Sequence, residues 1–197
     1  MNYLAHAYLS FNHPEILVGN MASDFVKGKA KFTYPAMVQN GIMLHRMIDA
    51  FTDSHAVTKN AAKLFKPFVG LYAGAFMDVV YDHFLATDLQ VFTPAGLQLF
   101  AQHTYGVLDN NVAILPSRFA AMLPYMQQQD WLYNYSNVGG INKSFAGLAR
   151  RAAYLNSSDA VFEAFMVNYN QLQEHYQAFF PAVKTYAFEQ FNQFGLA

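Results

Sequence analysis

Residues 68–86 read FVGLYAGAFMDVVYDHFLA. Phe68 to Ala86 is apolar on nearly every side of a helix, which marks a central buried helix rather than a surface one. The surrounding oily run, Phe65 to Leu85, is interrupted by Lys66, Pro67, Asp78 and Asp82. A membrane span tolerates few charges across about 20 residues, so the stretch reads as core. Other helices must wrap it. Upstream, Pro35 opens a helix over residues 35–51 with Met37, Val38, Ile42, Met43, Leu44, Met47 and Ile48 as its apolar positions. Asp53 or Ser54 then caps a second helix that runs through Phe65 and ends at Pro67. Downstream, Thr93-Pro94 opens a helix reaching Leu108. Ser117–Gln128 forms another, with Pro124 expected to break or bend it.

The later chain continues in the same style. Trp131 to Tyr135 is a short aromatic segment, and Val138-Gly139-Gly140 reads as a break. Residues 142–155 read as a helix carrying Arg150 and Arg151. Ser157 or Ser158 caps a last long helix from Asp159, kinked or divided at Pro181. Strand signals are weak, because no Val/Ile alternation is flanked by Asn-Gly or Asp-Gly turns. The expectation is one all-α domain over residues 1–197, with about seven to nine helices and no repeat or linker.

Composition narrows the function classes. Hydrophobic residues make up 54% and charged residues 13%, which excludes a disordered chain. The 19 Phe and 13 Tyr need a large core or an apolar face that a homo-oligomer or lasting partner would cover. Cysteine is absent, so disulfides, zinc–thiolate sites and Cys nucleophiles are excluded. A net charge of −1 gives no field to draw in nucleic acid or an anionic membrane. The opening residues lack a basic leader, and a cytoplasmic protein is expected. There is no glycine-rich phosphate loop, no Gly-x-Ser-x-Gly elbow and no His-Glu-x-x-His, which removes P-loop enzymes, typical serine hydrolases and zincins.

Four polar clusters interrupt the oily pattern: Asn2 to His6, Gly19-Asn20 to Asp24, His45 to Asp49, and Asp78 to His83. Acids and imidazoles inside apolar helices are costly unless something pairs with them. Asp78 and Asp82 share a helix face at i, i+4. Either a cation relieves their repulsion, or one Asp caps a neighbouring helix and the other meets an Arg. His45 and Asp49 share a face in the same way. They can chelate one ion, act as ligand and orienting partner, or form an ordinary surface pair. Arg46 can reach a phosphate oxygen. Gly19 and Asn20 suit a turn, and Asp24 reads as a capping acid or a ligand. His6 reads as a satisfied core histidine or a ligand. Lys27, Lys29, Lys31 and the Arg150-Arg151 pair are either solvated faces or a landing site for an acidic protein or a phosphate.

The same residues carry a resemblance. Met1-Asn2-Tyr3-Leu4-Ala5-His6, Gly19-Asn20, Asp24-Phe25-Val26 with Gly28, Gly41-Ile42, His45-Arg46, Ile48-Asp49, Thr52-Asp53 and Asp82-His83-Phe84-Leu85 match the acyl carrier protein phosphodiesterase family. Weaker matches continue through Trp131-Leu132, Gly147 to Arg151 and His175-Tyr176. That family resembles HD-type metal phosphohydrolases, although here the adjacent pair runs Asp82-His83. The resemblance implies hydrolysis of 4′-phosphopantetheine from a serine of holo acyl carrier protein, with Mn²⁺ as the metal and Mg²⁺ or Fe²⁺ as alternatives. It places Asp24, His45, Asp49 and Asp82 as metal ligands. Asp78 and His6 follow as ligands or orienting partners. His83 becomes a proton donor to the leaving serine oxygen, or else a further ligand. Arg46 and Lys27 would balance phosphate charge, and Arg150 and Arg151 would steer the acidic carrier protein. Two other functions remain open: hydrolysis of a nucleotide or other small phosphodiester, and a helical module that binds a hydrophobic ligand.

Overall fold

The computed structural model describes residues 1–195, and no strand occurs among them. The described residues form twelve α-helices: α1 (Tyr3–Tyr8), α2 (Pro14–Ala22), α3 (Ala36–Ser54), α4 (Ala56–Ala62), α5 (Lys66–Val69), α6 (Ala73–Thr87), α7 (Pro94–Asn110), α8 (Ser117–Gln128), α9 (Trp131–Asn134), α10 (Val138–Arg151), α11 (Asp159–Val167) and α12 (Tyr169–Asn192). Four single- or double-turn 3-10 segments join them. The excess over the expected number lies mainly in short pieces such as α1, α5 and α9. Such helices are too short to show a periodic pattern and are held by their neighbours.

The core helix is α6. Phe76, Met77, Val79, Val80, Tyr81, Phe84 and Leu85 are almost fully buried. It is shorter than residues 68–86 because Gly70, at φ +55°, ends α5 and a 3-10 turn follows. Helices α1, α4, α10 and α12 pack around it. No single helix among the described residues is long and apolar enough to cross a membrane. The α4–α6 stretch passes by composition alone but bends by 63° at a break.

Several helix boundaries differ from the sequence reading. Helix α3 runs on through Asp53 and Ser54, so His55 caps α4 instead, its Nδ1 accepting from Val57 N–H at 3.3 Å. Gly139 and Gly140 lie in the first turn of α10, which Asn137 caps by accepting from Gly140 N–H at 2.7 Å. The helix therefore spans Val138–Arg151 and not residues 142–155. Pro124 and Pro181 sit inside α8 and α12, which continue past them. Buried Leu123 and Met126, and Phe179, Phe180 and Val183, anchor each helix on both sides of its proline. The last long helix is divided at Asn168 rather than at Pro181.

One crossing decides where the site forms. Gly19 of α2 and Gly41 of α3 face each other with their backbones in contact. A Cβ added at Gly19 would lie 2.0 Å from Val38 O, and one at Gly41 would lie 2.2 Å from Ile16 O. Only glycine permits that approach. It sets Asn20, the residue after Gly19, against His45, one turn beyond Gly41.

Candidate metal centre

Three side chains from two helices converge at the α2–α3 crossing. His6 comes from α1, and His45 and Asp49 from consecutive turns of α3. One ligand atom from each lies within 4.8 Å of the others, a group that could hold a metal ion. The two imidazoles stack, with ring centroids 3.8 Å apart and planes 16° from parallel. Both histidines are buried, while Asp49 is partly open to solvent. A recess of about 10 Å³, lined by Met1, Asn2, Tyr3, Asp24 and both rings among others, opens beside them. That is the room of one water or one ion.

Asn20 fixes the chemistry of both rings. Its side-chain nitrogen donates to His6 O at 2.8 Å and to Ser10 Oγ at 3.0 Å. Its Oδ1 therefore accepts, and His6 Nδ1, 2.8 Å away, carries the hydrogen. His45 Nδ1 lies 2.8 Å from Asn20 backbone O, which can only accept, so this Nδ1 carries a hydrogen too. Each ring is left with Nε2 turned toward the acids. His6 Nε2 is 3.1 Å from Asp49 Oδ1. His45 Nε2 is 3.1 Å from Asp49 Oδ2 and 3.2 Å from Asp24 Oδ1.

The electrostatics follow from this layout. Burial, helped by the charge of His45, lowers the His6 pKa to about 4, so that ring is neutral at pH 7 and its Nε2 is a lone pair facing a carboxylate. Burial also opposes charge on His45. The hydrogen bonds and negative charges of Asp24 and Asp49 outweigh it and raise the pKa to about 9. Burial opposes ionisation of Asp49 as well, yet its contacts with His45 and His6 hold it far below the usual carboxylate range. Asp24 is held down mainly by its hydrogen bond from His45. A divalent cation would displace the Nε2 proton of His45 and take both Nε2 atoms and the facing carboxylate oxygens at once. The donor set fits the group: imidazole nitrogen and carboxylate oxygen suit Mn²⁺, Fe²⁺ and related ions. Hydrogen-bonded Nδ1 atoms are the usual support of metal-ligating histidines.

The structure separates two of the expected site residues from this cluster. Asp82 is fully buried on α6, but its oxygens face the start of α1. Oδ2 accepts from Leu4 N–H at 2.8 Å, and Oδ1 from Asn2 N–H at 3.2 Å and Ala5 N–H at 3.3 Å. It serves as a remote N-terminal cap for α1, and the group formed by His6, His45 and Asp49 does not include it. Burial raises its pKa to about 7, against the pull of the Met1 amine and the three N–H donors. His83 faces elsewhere too: Nδ1 donates to Tyr135 O at 2.7 Å, and Nε2 is 2.8 Å from Tyr169 Oη. Both nitrogens are engaged by these contacts, and burial lowers its pKa.

The remaining candidates brace or surround the cluster. Asp78 meets the Met1 α-amine at 2.8 Å rather than an Arg, and the same amine lies 3.4 Å from Asp49 Oδ1. Arg46 donates from Nη2 to Val26 O at 2.9 Å and so ties α3 to the segment just after Asp24. Lys27, Arg150 and Arg151 are exposed. Asn20 is the organiser that sequence reading missed, because Gly19-Asn20 reads as a turn and lies instead within α2. The usable signal was the pair of glycines, Gly41 lying one turn before His45.

The chain matches a family model described as acyl carrier protein phosphodiesterase over residues 1–183. Relatives that bear the same name include one from Serratia proteamaculans, 32% identical over 92% of this chain and 94% of its own length. Another, from Klebsiella pneumoniae, is 31% identical over 92% and 94%. A third, from Photorhabdus laumondii, is 29% identical over 92% of each. No solved structure gives a significant match.

Proposed function

The chain belongs to the acyl carrier protein phosphodiesterase family, and from that premise we propose a metal-dependent hydrolase that cuts 4′-phosphopantetheine from the serine of holo acyl carrier protein. The products are apo carrier protein and free 4′-phosphopantetheine. One observation supports the metal dependence above all others. Two imidazoles, their Nδ1–H groups pinned by Asn20, aim Nε2 at the same acidic point.

In this reading His6 and His45 supply Nε2 and Asp49 supplies carboxylate oxygen to the ion, with Asp24 as a further oxygen donor at the open side. A bound divalent ion supplies Lewis acidity toward a phosphoryl oxygen and toward water. Mn²⁺ suits the donors, with Mg²⁺ and Fe²⁺ as alternatives. Asp24, the more exposed acid, is placed to take a proton from an attacking water, help typically worth about 10²–10⁴-fold. Asn20 holds both rings in the tautomer that keeps Nε2 available. Arg46 keeps the Asp24 segment against α3. Lys27, Arg150 and Arg151 offer positive charge to an acidic carrier protein, which raises the rate of productive encounter.

The test is incubation with holo carrier protein after chelation, with and without added Mn²⁺, followed by intact-mass analysis. Loss of the prosthetic-group mass with metal only is expected. An intact holo protein in both arms, or equal loss in both, would refute the proposal.

A further inference from the structure

We infer that a cleft beside the metal centre is the seat of the substrate's pantetheine arm, an assignment that rests on the reaction proposed above. The cleft has a volume of about 500 Å³. That is within the range of about 300–1,000 Å³ usual for small-molecule sites. Most of its walls come from α6, α9 and α10, elements that contribute nothing to the His6–His45–Asp49 group. It shares Met1, Asn2, Tyr3 and Asp24 with the recess beside the two histidines. A phosphodiester held at the metal centre therefore has one continuous path along which a substituent can lie.

The lining matches that substituent. A pantetheine arm is uncharged and thread-like. It has a gem-dimethyl group and a hydroxyl near the phosphate, then two secondary amides and a thiol. The cleft offers apolar surface from Val79, Trp131 and Leu148, and amide or hydroxyl partners from Asn134 and Ser144. Its cations stand at the solvent side. Lys143, Arg150 and Arg151 are exposed, and no carboxylate forms an ion pair with them among the described residues. An uncharged arm does not need them, whereas an acidic protein arriving with its arm inserted does. The same lysine and arginines thus extend one substrate track from the metal to the carrier protein's surface.

Two features make the cleft testable. Trp131 is the chain's one tryptophan and lines it. Gly147 also lines it, and a Cβ there meets nothing closer than Arg150 Nη2 at 3.7 Å, so a side chain can be added without striking backbone. The experiment titrates pantetheine, which lacks the phosphate, into the full chain with Mg²⁺ present and follows Trp131 fluorescence. A saturable change is expected. Gly147→Leu should weaken it roughly tenfold and raise KM for holo carrier protein to a similar extent, with kcat much less affected. Ser144→Leu serves as the second filling variant should Gly147→Leu fail to fold.

Absence of a saturable change, or filling variants that bind pantetheine and turn over holo carrier protein with wild-type constants, would overturn the assignment. So would saturation by adenosine monophosphate with none by pantetheine. Failure of the underlying reaction is separately visible. A wild-type chain that binds pantetheine yet leaves holo carrier protein intact supports the cleft and refutes the reaction.

Discussion

Gly41→Ala is the most searching perturbation of this structure, because it acts on the site through the backbone alone. The added Cβ would lie 2.2 Å from Ile16 O and 3.0 Å from Gly19 Cα, where ordinary contact begins near 3.4 Å. The obstacle is a helix backbone and not the flexible end of a side chain. Helices α2 and α3 must separate by about 1 Å to admit the methyl group, and overpacking of this kind costs about 1–3 kcal/mol or more. For a chain of 197 residues, 3 kcal/mol corresponds to a fall in Tm of about 6–12 °C. The same shift stretches the 2.8 Å bond between His45 Nδ1 and Asn20 O beyond hydrogen-bonding range. Loss of such a supporting contact costs about 10–100-fold in metal affinity. Thermal unfolding followed by far-UV circular dichroism, with and without EDTA, and a Mn²⁺ titration measure both effects. A variant with wild-type Tm and wild-type Mn²⁺ affinity would refute the argument that the glycine contact builds the centre.

Other substitutions separate the residues by role. Asp49→Asn keeps the shape but removes charge between two Nε2 atoms. Bound Mn²⁺ should fall well below one per chain by elemental analysis, and metal-dependent release of phosphopantetheine should vanish. Asp82→Ala strips the cap from three backbone N–H groups and should cost about 3 kcal/mol by denaturant melts. A loss of metal binding in Asp82→Ala with no loss of stability would contradict its capping role. The pH dependence of the metal-free protein has a definite sign. His45 titrates near 9 when folded, above its ordinary value of about 6.5, so its stabilisation is complete below pH 6.5 and is lost as pH rises through 9. His6, lowered to about 4, acts oppositely and weakens the fold as pH falls from 6.5 to 4. In EDTA, the stability gap between wild type and His45→Gln should therefore shrink from pH 6.5 to 9. A gap that widens over that range would show the sign to be wrong. Arg150→Glu with Arg151→Glu should lower kcat/KM for holo carrier protein at low salt and flatten its salt dependence. An unchanged salt profile would count against a docking role.

The amino-acid sequence alone determined the helical class, since no stretch alternates apolar and polar residues as a half-buried strand must. It also marked α6 as the core, because an apolar surface on all sides of a helix has nowhere else to go. The i, i+4 spacing of His45 and Asp49 placed that pair on one face before any folding, as helix geometry requires. The alternatives left open for Asp78, Asp82, His6 and Asp24 could not be decided locally. Asp82 has the same local spacing to Asp78 that Asp49 has to His45. Yet it ends on the backbone of α1, about eighty positions away in sequence, because the N-terminus of that helix packs across α6. His83 was likewise assigned by its neighbours, Tyr135 and Tyr169, from distant helices. Asn20 became the organiser only once two glycines let α2 and α3 touch. Periodicity reports which face of an element is buried. What that face meets is set by long-range packing, and here the packing chose which acids and imidazoles come together.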